Sequence, residues 1–182
     1  MSDDQPGSVY ELAHDEEPEN LATFAILVDN EPGVLHRLVG LFAARNYNID
    51  SLTVAETDRR AHTSRVTIVT RGTPHVLTQI EAQLEKMVST RHVQDVTRDP
   101  NGLERELALV KVRSSGPERV EALRVGDIFR AKVIDTTHES FVFELTGASS
   151  KIDKFVELMR PLGLVELSRT GVLSLTRGAQ AM

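Results

Sequence analysis

Ala22-Thr23-Phe24-Ala25-Ile26-Leu27-Val28-Asp29-Asn30-Glu31-Pro32-Gly33-Val34-Leu35 is the stretch on which the fold turns. Seven apolar or β-prone residues, Ala22–Val28, read as a strand. Asp29–Gly33 supplies turn residues, and from Val34 the period changes. Val34, Leu35, Leu38, Leu41 and Phe42 share one face at helical spacing. Asn46 stands where that helix would stop, since Asn tolerates the left-handed cap conformation. A strand over Tyr47–Glu56 follows, with Leu52 and Val54 alternating against polar neighbours. The polar Asp58-Arg59-Arg60 turn leads to a strand over Ser64–Thr70. Gly72-Thr73-Pro74 opens a helix carrying Leu77, Ile80, Leu84 and Met87 on one face, and a last strand lies near Arg91–Arg98.

The same order returns beyond Asp99-Pro100-Asn101-Gly102, a cluster of turn residues taken as the boundary. It comprises a strand over Glu106–Val112, a helix opened by Gly116-Pro117 and ending near Phe129, and strands over Ala131–Thr136 and Phe141–Leu145. Ser149 and Ser150 are expected to cap a helix with Ile152, Phe155, Val156, Met159 and Leu162 on one face. Gly163 ends it, Leu164–Ser168 forms the next strand, and Val172–Leu175 is a candidate extra one. Both halves read β-α-β-β-α-β, so the expected class is α+β with two tandem ferredoxin-like domains. The expected division is a flexible acidic tail over 1–21, a first domain over 22–98, a linker over 99–103 and a second domain over 104–178. Units of this size leave one sheet face and the sheet edges open, so the sheets are expected to pair between halves or between chains.

Composition narrows the function classes. The net charge of −6 is concentrated at the start: residues 1–20 hold seven acidic side chains and no Lys or Arg, and the remainder is nearly balanced. A chain without a basic excess has little to neutralise phosphates with, so no nucleic-acid partner is expected. No apolar run reaches the roughly 18 residues needed to cross a bilayer, so no membrane partner is expected. The start lacks the pattern of a signal or transit peptide, and the absence of cysteine fits a reducing, cytoplasmic setting. The six His show no metal-ligand spacing, and no nucleotide-binding glycine motif or nucleophile elbow is present. Catalysis is therefore not expected of this chain.

The Asp29–Gly33 loop has a more specific chemistry. It delivers the chain from a strand into a helix, where the first free N–H groups and the positive end of the helix dipole suit a carboxylate. Gly33 lets a ligand approach the backbone, while Asn30 and Asn48 each offer a donor and an acceptor. Together they suit the two ends of a zwitterionic amino acid. The same spacing also fits a plain helix entrance with Asn30 as cap and Pro32 in the first turn.

Asp29-Asn30-Glu31-Pro32-Gly33-Val34-Leu35, Gly40-Leu41-Phe42 and Tyr47-Asn48-Ile49-Asp50-Ser51-Leu52-Thr53-Val54 resemble the start of the acetolactate synthase (acetohydroxyacid synthase) small subunits, an ACT-domain family. Arg105–Val112, Asp127–Asp135 and Arg169–Gly178 continue the resemblance in the family's order, from about residue 22 to 178. The resemblance implies an ACT domain first, homodimers through those domains, and a large catalytic subunit as partner. It implies activation of that subunit and feedback inhibition by valine or a related branched-chain amino acid. Thiamine diphosphate, Mg²⁺ and FAD are then expected on the large subunit, with no cofactor on this chain. Asn30, Gly33 and Asn48 match positions tied to valine binding, with Val34, Leu35 and Ile49 beside them. His36 and Asn46 depart from the usual pattern, and residues 1–21 are extra relative to the shortest members. The alternative function is a stand-alone ACT-domain sensor of amino acids without an enzyme partner.

Overall fold

The computed structural model describes residues 18–179; the expected acidic tail lies mostly outside them. The first half runs β1 (Asn20–Asp29), α1 (Val34–Ala43), β2 (Ser51–Asp58), β3 (Thr63–Gly72), α2 (Pro74–Glu85) and β4 (Thr90–Asp95). The second runs β5 (Gly102–Arg113), α3 (Gly116–Phe129), β6 (Lys132–Thr136), β7 (Ser140–Gly147), α4 (Ser149–Met159), β8 (Leu164–Arg169) and β9 (Leu173–Thr176). The first sheet has the order β2-β3-β1-β4 and the second β6-β7-β5-β8, all neighbours antiparallel. Both are ferredoxin-like sheets, as the element order predicts.

Each sheet buries one face under its two helices. Phe24, Ile26 and Val28 alternate along β1 into a core shared with Leu38, Phe42, Ile68, Leu77, Ile80 and Leu84. Val110, Val112, Phe143, Leu145, Ile152, Phe155 and Met159 form the corresponding core of the second half. Period-2 apolar residues in strands and 3.6-period residues in helices bring those faces together. α3 is the least amphipathic helix by pattern, and Gly126 lets it pack closely on the Phe143 ring; a Cβ there would lie 2.7 Å from Phe143 Cε1. Asn46 takes the expected left-handed conformation, with φ 57°.

Several boundaries differ from the sequence-based expectation. β1 begins at Asn20 and β5 at Gly102, so Asn20 and Leu21 leave the expected tail and Gly102 and Leu103 leave the expected linker. Both pairs are drawn into strands by partners, Gly72 and Arg71 for the first and Thr176 and Leu175 for the second. β2 starts at Ser51 rather than Tyr47. Before Ser51 the link to β3 runs partly through a side chain, Thr70 Oγ1 donating to Asn48 O, before Asp50 N reaches Val69 O. α2 ends before Met87, which still packs on the core. Ala148, not Ser149 or Ser150, occupies the cap position of α4.

The outer face of the first sheet is covered from within the chain. After β8 the backbone crosses that face from β2 to β4. Val172 N donates to Ser51 Oγ at 3.1 Å, and Thr176 Oγ1 donates to Gln94 Oε1 at 3.2 Å. β9 then pairs with the first residues of β5. Thr23, Ala25, Thr67 and Val69 are consequently buried although they point away from the helices.

Candidate functional site

The loop between β1 and α1 is held from both sides. Asp29 N donates to Ser89 O at 2.9 Å, and Asp29 Oδ1 accepts from Arg91 Nε at 2.6 Å. Asn30 N donates to His62 O at 2.7 Å, tying the loop to the β2–β3 hairpin. Arg37, one turn into α1, donates to Glu31 at 3.2 Å and to Ser89 Oγ at 2.9 Å. The loop is thus a rigid rim built on the ends of strands.

Gly33 occupies the cap position of α1 with φ 84°, a left-handed conformation that only glycine adopts without strain. It brings no side-chain cap, and the first turn of α1 holds no acidic residue. Val34 N is satisfied by Glu31 O at 3.2 Å and Arg37 N by Gly33 O at 3.0 Å. The N–H groups of Gly33, Leu35 and His36 have no partner among the described residues. The other helices handle their entrances differently. Thr73 caps α2, Glu118 sits in the first turn of α3, and the Glu106 carboxylate lies beside Ser149 at the start of α4. Unmet N–H groups at the positive end of a helix, beside a residue without a side chain, suit a carboxylate. A Cβ built on Gly33 would meet nothing within 4 Å, so the approach is open.

Each predicted site residue can be placed. Asn30 is exposed, its amide 3.4 Å from Glu56 Oε1, and Gly33 is exposed beside it. Val34 is buried in the core; Leu35, expected on the same face, is 39% exposed. Ile49 packs partly against the core, and Asn48 is exposed, its carbonyl receiving Thr70 Oγ1 at 2.5 Å. The two asparagines are not neighbours. Strand two is not next to strand one: β3 lies between β1 and β2. Asn30 follows the Asp29–Thr63 pair, whereas Asn48 sits beside Thr70, which pairs with Ala22. Seven residues of strand separate those levels, about 23 Å at the usual rise. Within one chain Asn30, Gly33, Val34 and Leu35 are brought together, and Asn48 and Ile49 lie at the opposite end of the sheet. Clefts of about 840, 720 and 380 Å³ are present, and none is lined by Asn30 or Gly33. Around Gly33 the chain offers a single wall, with open space opposite it.

A second cluster lies where the halves meet. Arg169, at the end of β8, donates to both Glu106 oxygens at 2.7 and 2.6 Å and to Asp153 of α4 at 2.6 Å. Burial pushes the Glu106 carboxyl up, but hydrogen bonds from Arg169, Ser149 and the Gly171 N–H outweigh it and hold the group below its ordinary value. Hydrogen bonding to Glu106, with help from Asp153, raises Arg169 against its own desolvation. Glu106, like Glu104, flanks an apolar strand and is expected to be solvated there; it is instead 3% exposed, because Arg169 satisfies both of its oxygens. Arg169-Thr170-Gly171 was legible only as part of the family-like ending, because Glu106 and Arg169 are 63 positions apart.

Among the described residues no three His, Cys, Asp or Glu side chains are grouped to hold a metal ion, and no helix is long and apolar enough to cross a membrane.

Residues 105–178 match the family described as the small subunit of acetolactate synthase, and residues 24–92 match the acetohydroxyacid synthase small subunit-like ACT domain. The chain belongs to the acetolactate synthase small-subunit family. It is 43% identical over 156 residues to a probable acetolactate synthase small subunit of Archaeoglobus fulgidus, covering 86% of this chain and 96% of that protein. It is also 43% identical over 159 residues to the acetolactate synthase isozyme 3 small subunit of Escherichia coli, covering 87% and 96%. The crystal structure of the acetolactate synthase small subunit from Thermotoga maritima superposes with a TM-score of 0.78 at 36% identity, over 88% of this chain and 99% of that one. The Thermotoga small subunit shares this fold, and in this chain the ACT-domain match precedes the other.

Proposed function

We propose that this chain is a regulatory subunit that binds a catalytic acetolactate synthase subunit, raises its activity, and makes it sensitive to valine or another branched-chain amino acid. The observation that carries the reading is the entrance of α1, with free N–H groups at Gly33, Leu35 and His36 inside a family of acetolactate synthase small subunits. The amino-acid carboxylate would lie on those N–H groups, with Asn30 at the rim and Val34 and Leu35 beneath the side chain. The proposed division is an ACT domain over 22–98, extended at its start by Asn20 and Leu21 of β1, and a second domain over 104–178, extended by Gly102 and Leu103 of β5. Thiamine diphosphate, Mg²⁺ and FAD belong in this reading to the catalytic subunit, and the setting is cytoplasmic.

The second wall comes from a second copy. β2 is an edge strand, and Val54 lies on its helix-side face opposite Val66, yet is 44% exposed. Two-fold antiparallel pairing of β2 with the same strand of a partner reverses strand direction across the interface. The Asn48 end of one chain then meets the Asn30 end of the other. Asn48 and Ile49 thereby join a site from which they are remote within one chain, and Leu35 and Val54 lose their exposure.

Reconstitution tests the reading. Acetolactate formation by the catalytic subunit is measured alone, with this chain, and with valine added. Activation by the chain and its reversal by valine are expected. Gly33→Asp should keep activation and abolish valine inhibition, because its carboxylate takes the N–H groups and repels the ligand's own. Gly33→Ala shares the backbone strain and adds a methyl group but not the charge, and should weaken inhibition less than Gly33→Asp. Unchanged valine binding by Gly33→Asp in calorimetry sinks the site assignment.

A further inference from the structure

The Thr170–Val172 segment touches both halves at once. On one side Thr170 N donates to Leu107 O at 3.0 Å, and Leu107 N donates to Thr170 Oγ1 at 3.1 Å. The residue before it, Arg169, grips Glu106 and, through Asp153, the second turn of α4. On the other side Thr53 Oγ1 donates to Thr170 O at 3.4 Å, and Ser51 Oγ accepts from Val172 N at 3.1 Å. Gly171 sits between them. Its Cα faces the two hydroxyls so closely that a Cβ would lie 2.5 Å from Ser51 Oγ and 2.9 Å from Thr53 Oγ1. Its φ of 81° adds a second reason for glycine.

The first-half contacts of this segment are the residues that follow Asn48. Asn48 bonds Asp50 at 2.7 Å, Asp50 accepts from Arg71 at 2.7 Å, and Ser51 is next in the chain. Asn48 is thus three positions before Ser51, which bonds the segment directly. Beside the bridge the halves stand apart, across a cleft of about 720 Å³ with Asp50, Ser51 and Arg71 on one wall and Glu106, Asp153 and Arg169 on the other. A tight hydrogen-bonded joint at the edge of an open cleft is a hinge with room to move.

We propose that the Thr170–Val172 segment couples the amino-acid site of the first half to the second half, with Gly171 as its positioning residue. The inference rests on the regulatory reading above and adds the element through which it acts. A ligand that binds through Asn48 shifts the second half only if its binding energy differs between two arrangements of this joint. Loosening the joint should then separate binding from response.

The test uses the reconstituted holoenzyme and L-valine. Ser51→Ala combined with Thr53→Val removes both hydroxyls while leaving the backbone conformation accessible; Gly171→Ala forces the contact apart. Calorimetry on the small subunit should show valine affinity within about threefold of wild type, and activation without valine should be retained, while maximal inhibition falls to less than about half. Hydrogen exchange on the wild-type chain should show altered protection at Thr170–Val172 on adding valine. Full inhibition of the double variant, or unaltered exchange at the segment while valine binds, overturns the proposal. Should Gly171→Ala fail to fold, the double variant carries the test. A wild-type chain that binds neither valine, leucine nor isoleucine overturns the regulatory reading instead, and this inference falls with it.

Discussion

Glycines at positive φ differ in what they allow at their Cα. Gly33 and Gly163 have φ of 84° and 94°, but a Cβ on Gly33 meets open space, whereas one on Gly163 would lie 2.0 Å from Arg113 O. Gly33→Ala should cost only the left-handed strain, about 1–2 kcal/mol. Gly163→Ala must also break the bond from Arg113 N to Gly163 O, so it should cost about 3 kcal/mol in urea unfolding. Equal losses at the two sites would contradict this. Glu106 makes a pH prediction. Its folded value lies below the ordinary 4.5, so its stabilisation is fully present above 4.5 and is lost as pH falls through the lower folded value. Glu106→Gln should therefore destabilise the chain by about 2 kcal/mol near neutral pH, where hydrogen bonds between ions are broken, and by clearly less in acid. Urea midpoints of both proteins at about pH 6 and about pH 3 measure the difference.

At the scale of elements, the edge strand β2 and the entrance of α1 belong to one argument. β2 carries Val54 44% exposed on a face whose next residue inward, Val66, is fully covered, and Leu35 of α1 is 39% exposed. Placing a charge there, Val54→Lys, should oppose strand pairing between copies. Sedimentation should then show a shift toward monomer, and valine affinity should fall at least about tenfold because a split site is lost with its partner. A dimer of undiminished stability with unaltered affinity would show that β2 is not the joining strand. Elements of the described fold were largely legible in the sequence. Period-2 runs marked β1, β3, β5 and β7, and helical faces marked α1, α2 and α4. The start of β2 was not legible, because Tyr47-Asn48-Ile49-Asp50 alternates like a strand, while its link to β3 runs partly through a side chain, Thr70 Oγ1 donating to Asn48 O, before Asp50 N reaches Val69 O. Neither serine caps α4, because Ala148 holds the extended cap position and both serines fall inside the helix.

For the whole molecule, the two sheets are joined by more than the short connection between β4 and β5. The strand β9 adds to β5 and lies across the first sheet, so Thr23, Ala25, Thr67 and Val69 depend on the Val172–Thr176 segment for their burial. The full chain should unfold in one transition. A chain ended after Arg169 should lose that cooperativity and show two transitions in calorimetry, the first sheet melting earlier with its outer face bare. A single transition at the original temperature would mean that the strap contributes nothing to either half.

By itself the sequence determined the repeated β-α-β-β-α-β plan, the apolar faces that form the two cores, and the Asn30–Gly33 turn with its glycine. These depend on residue types at local spacing, which the chain carries whatever its neighbours do. Only the tertiary structure decided that Asn30 and Asn48 stand at opposite ends of the sheet, because insertion of β3 between β1 and β2 is a matter of strand order. It alone revealed the joint of Gly171 with Ser51, Thr53 and Glu106, whose members lie up to 120 positions apart in sequence (Ser51 to Gly171). Contacts at that separation leave no periodic trace, since each residue answers to a partner that only folding brings near.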